Sequence, residues 1–200
     1  MLQGPRLLFF AGSARAASFN KRLARAAFKM AEAKGIAADF ADLADYPMPL
    51  YDGDLEATSG PPDNARRLLA LISGCDGIFI ASPEYNASIS PLLKNTLDWM
   101  SRIRAEGSAK SGIDIVKWRV IALGAASPGG TGGMRGLIAL RYTLEMGYGA
   151  LVLPEQVLVP RANSAFTDDG ALSDNDARDR LDGVVAKLAR TASQLSATGA

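Results

Sequence analysis

The sequence predicts a doubly wound α/β domain built on a parallel sheet, and three observations carry that reading. Short, largely apolar runs at Leu7–Ala11, Gly77–Ala81 and Arg119–Ala125 suit central strands covered on both faces. Stretches with helical spacing alternate with them, as a chain returning between parallel strands requires. A length of 200 residues fits one core, so residues 1–200 read as a single domain.

The elements follow in order. After the first strand, Phe19, Leu23, Ala27 and Met30 share one face of a helix over Phe19–Lys34, while Lys21, Arg22, Arg25, Lys29 and Glu32 fall largely elsewhere; Gly35 stops it. Ala37–Leu43 is a weaker strand. The Pro-rich stretch Tyr46–Asp54 cannot be a helix interior and reads as an ordered surface loop. Pro61 or Pro62 opens a helix running through Ser73. A further helix starts near Ser90-Pro91, buries Leu92, Leu93, Leu97 and Met100, and ends before the polar Arg102–Ser111 connection. The glycine-rich turn Ser127–Gly133 precedes a helix reaching about Met146. Leu151–Val159 is the last strand, placed at a sheet edge by Pro154, and Asp174–Leu195 is a charged amphipathic helix.

Composition narrows the chemistry. With 48% hydrophobic and 22% charged residues the chain is an ordinary globular one. A formal charge of +1 argues against broad nucleic-acid binding, which needs a basic face. No charged-then-apolar leader or long apolar span is visible, so no membrane partner is expected and the cytoplasm is the expected compartment. The lone Cys75 has no internal disulfide partner. With no histidine, imidazole-based nucleophile systems, His-ligated zinc and an imidazole proton shuttle are all absent. No metal site is expected, and a bound redox cofactor fits because the electron chemistry then belongs to the cofactor.

In an open parallel sheet, ligands bind where loops leave the carboxyl ends of the strands. Three unusual loops fall there. In Gly12–Asn20, amides and a helix dipole favour an anion, Arg15 offers a charged fork, and Ser13, Ser18 and Asn20 can complete a phosphate nest. The competing reading makes Ser18 a helix cap and Arg15 a solvated side chain. The loop is neither a Walker A sequence nor a Gly-x-Gly-x-x-Gly fingerprint. In Ser82–Ser90, Pro83 fixes the path, Tyr85 can pack near a flat ring and Asn86 can bond at its edge; an ordinary turn is the alternative. In Ser127–Gly133, glycines admit close backbone approach, against a plain connector as the alternative. Three such loops at one sheet end favour a planar phosphorylated cofactor.

Gly-Ser-x-Arg-x-x-Ser-x-Asn at Gly12–Asn20, Pro-Glu-Tyr-Asn at Pro83–Asn86 and Ser-Pro-x-x-Lys-Asn-x-x-Asp-Trp at Ser90–Trp99 together resemble the NADPH-dependent FMN reductase family. The resemblance spans Leu7 to Val159. It implies a flavodoxin-like three-layer α/β/α sandwich with a five-stranded parallel sheet in the order 2-1-3-4-5, and an activity among quinone, chromate and azo-compound reductases. By resemblance Ser13, Arg15, Ser18 and Asn20 hold the FMN phosphate, with a backbone contact from Phe19. Ser82, Pro83, Glu84, Tyr85 and Asn86 then lie beside the flavin ring and ribityl chain, and Ser127, Gly129, Gly130 and Thr131 form another flavin-facing loop. Lys94 and Asp98 match the family's helix pattern, and their i,i+4 spacing suits an ion pair, within the helix or between subunits, better than catalysis. Trp99 and Trp118 read as packing or interface residues, and Cys75 as a small buried one. Tyr51 and Asp52 resemble a subunit-contact region, and a homodimer or homotetramer is implied.

The expected activity is hydride transfer from NADPH or NADH to FMN, then electron transfer to a small acceptor such as a quinone, chromate, an azo compound or free flavin. No catalytic side chain is demanded, since the flavin N5 carries the hydride. Two other uses of the cofactor stay open: a flavodoxin-type electron carrier, disfavoured by the near-neutral charge, and a flavin-linked redox sensor.

Overall fold

Alternate residues of β1 (Arg6–Ala11) serve two cores: Leu7, Phe9 and Ala11 pack on one face of the sheet, Leu8 and Phe10 on the other. That two-sided burial is why the strand is apolar without interruption. The computed structural model describes residues 4–197; the three residues at each end of the expected 1–200 domain lie outside the described residues. β1 is flanked by β2 (Ala37–Ala41) and β3 (Gly77–Ala81), with β6 (Val120–Ala126) and β7 (Leu151–Val159) beyond β3. All four pairings are parallel, in the order β2-β1-β3-β6-β7. Counting these strands alone, that is the expected 2-1-3-4-5.

On one face lie α1 (Phe19–Ala33) and α7 (Asn175–Ala197), sealed by Leu23, Ala27, Leu181, Val185 and Leu188. On the other lie α3 (Asp63–Ser73), α4 (Pro91–Ser101) and α6 (Met134–Tyr142), with Leu68, Leu93, Trp99 and Leu140 fully buried. A π-helical turn, Thr143–Gly147, prolongs α6. Pro154 sits in the outermost strand, where the β6–β7 register slips between Ile121 and Leu123 and absorbs the missing N–H.

Three elements depart from the sequence reading. The Pro-rich loop is followed by α2 (Gly53–Ser59), capped when the Asp52 carboxylate accepts the Asp54 and Leu55 N–H groups at 2.7 and 3.1 Å. The polar connection gives way to α5 (Gly112–Lys117), capped by Ser111. Both helices are too short to show a period. The loop after β3 folds into a hairpin of β4 (Glu84–Tyr85) and β5 (Ser88–Ile89), whose tip holds Asn86 and Ala87 at φ 49° and 62°. Lys21, off the apolar face of α1, is nonetheless buried beside Asp42, because the N-terminal turn of α1 is covered by the end of β2 and by the loop before α1.

Candidate functional site

The three loops meet at the carboxyl edge of the sheet through hydrogen bonds that step from strand to strand. The Gly12 N–H donates to the Ala81 carbonyl at 2.9 Å, the Ser82 N–H to Gly124 at 2.8 Å, and the Ser127 N–H to Val159 at 3.0 Å. The Ser90 hydroxyl caps α4 and donates to the Gly12 carbonyl at 2.6 Å, tying the first loop to the second. A Cβ on Gly12 would sit 2.9 Å from Leu93 Cδ2, so glycine lets the first loop lie against α4.

Within the first loop, Ser18 caps α1 by accepting the Lys21 N–H at 3.3 Å, and the Ser13 hydroxyl accepts the Arg15 N–H at 3.3 Å. Arg15 is exposed. Among the described residues, the N–H groups of Ala14, Ala16, Ala17 and Ser18 meet no protein acceptor. A run of free amides leading into a helix N-terminus, with a guanidinium alongside, is the chemistry of an anion cradle. Asn20 is engaged differently from the sequence reading: its Nδ2 donates to the Ala126 carbonyl and its Oδ1 accepts the Ala126 N–H, both at 2.9 Å. It binds α1 to the end of β6, between the first loop and the third.

The hairpin presents Tyr85, 46% exposed, and Asn86 at its tip. Ser82 is fully buried, and its hydroxyl donates to the Pro83 carbonyl at 3.3 Å. Glu84 points into the protein: it accepts from Arg135 Nε at 2.8 Å, from Arg135 Nη2, and from the Gly136 N–H at 3.1 Å. Burial alone would raise its pKa, but the Gly136 N–H and the Arg135 guanidinium outweigh that and hold the carboxyl below its usual range. Glu84 thus anchors the hairpin to the start of α6, where a Cβ on Gly136 would lie 3.0 Å from Glu84 Cβ.

The glycines of the third loop divide by role. Gly132 and Gly133 have φ of +63° and +89° and press against Pro160, Val159 and Ala125, so the fold itself demands them. A Cβ on Gly129 would meet only the Ser127 hydroxyl at 3.6 Å, and one on Gly130 would meet nothing. These two glycines and Thr131 are exposed, forming an open shelf that a flat ring could approach to backbone distance. Half-buried Ser127 shapes the shelf by accepting the Gly129 N–H at 3.2 Å.

Sequence reasoning missed a fourth segment. Residues 160–174 flank the shelf: Arg161, at φ 51°, donates its N–H to the Gly129 carbonyl at 3.3 Å, and Phe166 stacks on Phe19 with ring centres 6.4 Å apart. No motif marks it; Pro160 after an apolar run was the only signal. The larger clefts lie elsewhere. One of about 650 Å³ opens at the amino-terminal end of the sheet beside Arg6, Gly35 and Asp76; one of about 640 Å³ lies between α2 and the 102–106 connection. Neither is lined by residues of the three loops, which form an open surface. No group of three or more His, Cys, Asp or Glu side chains among the described residues is placed to hold a metal.

Fold and loops together define a doubly wound α/β protein whose carboxyl sheet edge gathers loops with the chemistry to suit a phosphorylated planar cofactor. Residues 5–164 match the family model described as NADPH-dependent FMN reductase, and the chain belongs to that family. A quinone reductase of Pseudomonas putida strain KT2440 is 34% identical over 82% of this chain and 82% of its own. The NAD(P)H-dependent FMN reductase PA1204 of Pseudomonas aeruginosa is 33% identical over 88% of this chain and 89% of its own. Among solved structures, the flavoenzyme FerB, an NAD(P)H:(acceptor) oxidoreductase of Paracoccus denitrificans, superposes with a TM-score of 0.76 at 26% identity, covering 95% of this chain and 98% of that one. The protein is an oxidoreductase with FMN and NAD(P)H as its cofactors.

Proposed function

We propose that the protein reduces quinones with electrons from NAD(P)H, holding FMN across its three loops. The free amides of Ala14, Ala16, Ala17 and Ser18 beside exposed Arg15 carry this reading, because they supply donors and charge for a phosphomonoester that no protein group occupies. FMN, when bound, supplies the centre that accepts hydride from the nicotinamide and delivers electrons to the acceptor. Ser13 and Ser18 shape the cradle through the Arg15 and Lys21 amides, and Asn20 holds it against β6. Phe19 contributes its backbone at the helix start. On the ring side Tyr85 and Asn86 form one wall and Gly129, Gly130 and Thr131 the other, with Ser82, Pro83, Glu84 and Ser127 keeping both in place. Quinones are the favoured acceptors because relatives bear that name, among them a 2-hydroxy-1,4-benzoquinone reductase 43% identical over 46% of this chain.

The open shelf leaves room for donor and acceptor to use the same ring face in turn, which requires ping-pong kinetics. The experiment is anaerobic stopped-flow absorbance on FMN-loaded protein, mixed first with NADPH or NADH and then with quinone, chromate, an azo dye or free flavin. Fast bleaching followed by quinone-dependent recovery is expected. Bound flavin that neither nucleotide reduces would overturn the proposal.

We also place the protein in the cytoplasm as a homo-oligomer. Among the described residues no helix is long and apolar enough to cross a membrane. Met134, Ile138, Tyr142 and Met146, four residues apart along α6 and its π-helical turn, are 41%, 60%, 68% and 71% exposed. An aligned apolar stripe of that kind suits burial against a second copy.

A further inference from the structure

Lys21 is a cation in a place that favours apolar residues. It lies in the first turn of α1 with its side chain only 8% exposed, and a buried ammonium is costly unless its protons are taken up. Here they are: Nζ is 2.8 Å from Asp42 and donates to the Ala14 carbonyl at 3.2 Å. Asp42 is itself fixed, since its carboxylate also accepts the Ala44 N–H at 3.0 Å where the chain leaves β2. The Lys21 N–H donates to Ser18 Oγ at 3.3 Å. One residue therefore grips both ends of the 14–18 segment, Ala14 through its ammonium and Ser18 through its backbone. That segment carries the free amides, and it has no regular secondary structure of its own to hold it.

Building on the reading of this loop as the FMN phosphate cradle, we propose that Lys21, backed by Asp42, is the positioning residue that keeps the 14–18 amides converged on the phosphate. The ligand class it serves is the flavin phosphomonoester, so its effect appears in discrimination between FMN and riboflavin, which share the ring and ribityl chain and differ only in the phosphate.

The test titrates the flavin-free full chain with FMN and with riboflavin by fluorescence quenching, for wild type, Lys21→Met and Lys21→Gln. Hydrogen exchange of residues 13–19 without flavin is followed alongside. Wild type should bind FMN more tightly. Both variants should weaken FMN by about tenfold, the scale of one charge-assisted contact, with riboflavin changed less than twofold and faster exchange confined to the loop. Gln suits the polar slot, so the reading survives if Met prevents folding. A wild-type preference for FMN that both variants keep overturns the role of Lys21 alone. Equal binding of FMN and riboflavin by wild type overturns the phosphate cradle itself, and the inference with it.

Discussion

Glu84 is a family-motif carboxylate whose work is done inside the protein, and its titration exposes that work. Its folded pKa lies below the unfolded value of about 4.3, so its contribution is in force above that value and is lost as pH falls through the lower folded one. Urea unfolding of wild type and Glu84→Gln should therefore differ near neutrality, with the gap closing as pH falls below about 4. A gap that stays constant from pH 6 to 3 would detach Glu84 from the acid response. Cys75 gives the opposite sign. Burial pushes its thiol up to about 12, so it stays protonated and unreactive at pH 8. Alkylation of native protein should run at least roughly tenfold slower than of urea-unfolded protein, and equal rates would place the thiol at the surface. The sequence reading of a small buried residue agrees with its 3% exposure.

At the scale of elements, the β4–β5 tip carries a cost the sequence hides. Asn86 and Ala87 both adopt left-handed backbone, the geometry of a type I′ turn, which asparagine tolerates and alanine resists. Ala87→Gly should stabilise the protein by about 0.5–1 kcal/mol in urea unfolding, after allowance for glycine's greater unfolded freedom; a neutral or negative change would refute the strain. Gly112 makes a harder demand. A Cβ there would lie 1.9 Å from the Met100 carbonyl oxygen, where no side chain can yield, so Gly112→Ala should cost roughly 3 kcal/mol or more. These positions show where reading from sequence stops. The runs at Leu7–Ala11 and Gly77–Ala81 are legible because two-faced burial imposes a continuous pattern, and Ser90-Pro91 because capping is local chemistry. α2 and α5 span under two turns each, too short for a period to be detected. Lys21 misleads because helical spacing cannot show that β2 ends over the first turn of α1, and Arg135 meets Glu84 across a sequence separation of 51 positions. The cradle is thus legible as residue types at one sheet end, while the contacts that hold it are tertiary.

At the scale of the molecule, the two faces of the sandwich are finished differently. α1 and α7 close one core, whereas α3, α4 and α6 close the other, and α6 with its π-helical turn still directs Met134, Ile138, Tyr142 and Met146 outward. Beside that stripe lies a recess of about 410 Å³ walled by Leu97, Ile113 and Met146 and by the Lys94–Asp98 pair, whose Nζ and Oδ1 are 2.6 Å apart within α4. Apolar stripe and charge pair together make a surface that a two-fold axis could set against itself, each copy offering both signs of charge. If that surface joins subunits, a charge at its centre must separate them, because an unpaired ammonium cannot be buried between apolar side chains without a large cost. Ile138→Lys should then shift the mass measured by light scattering from oligomer to monomer at micromolar protein. FMN affinity should stay within about threefold, since Ile138 belongs to none of the three loops proposed to hold FMN and its side chain is 60% exposed. An Ile138→Lys protein that keeps the wild-type mass would send the search for the interface to another face, with Trp118 and Leu151, 46% and 47% exposed near the amino-terminal end of the sheet, as the next surface to charge.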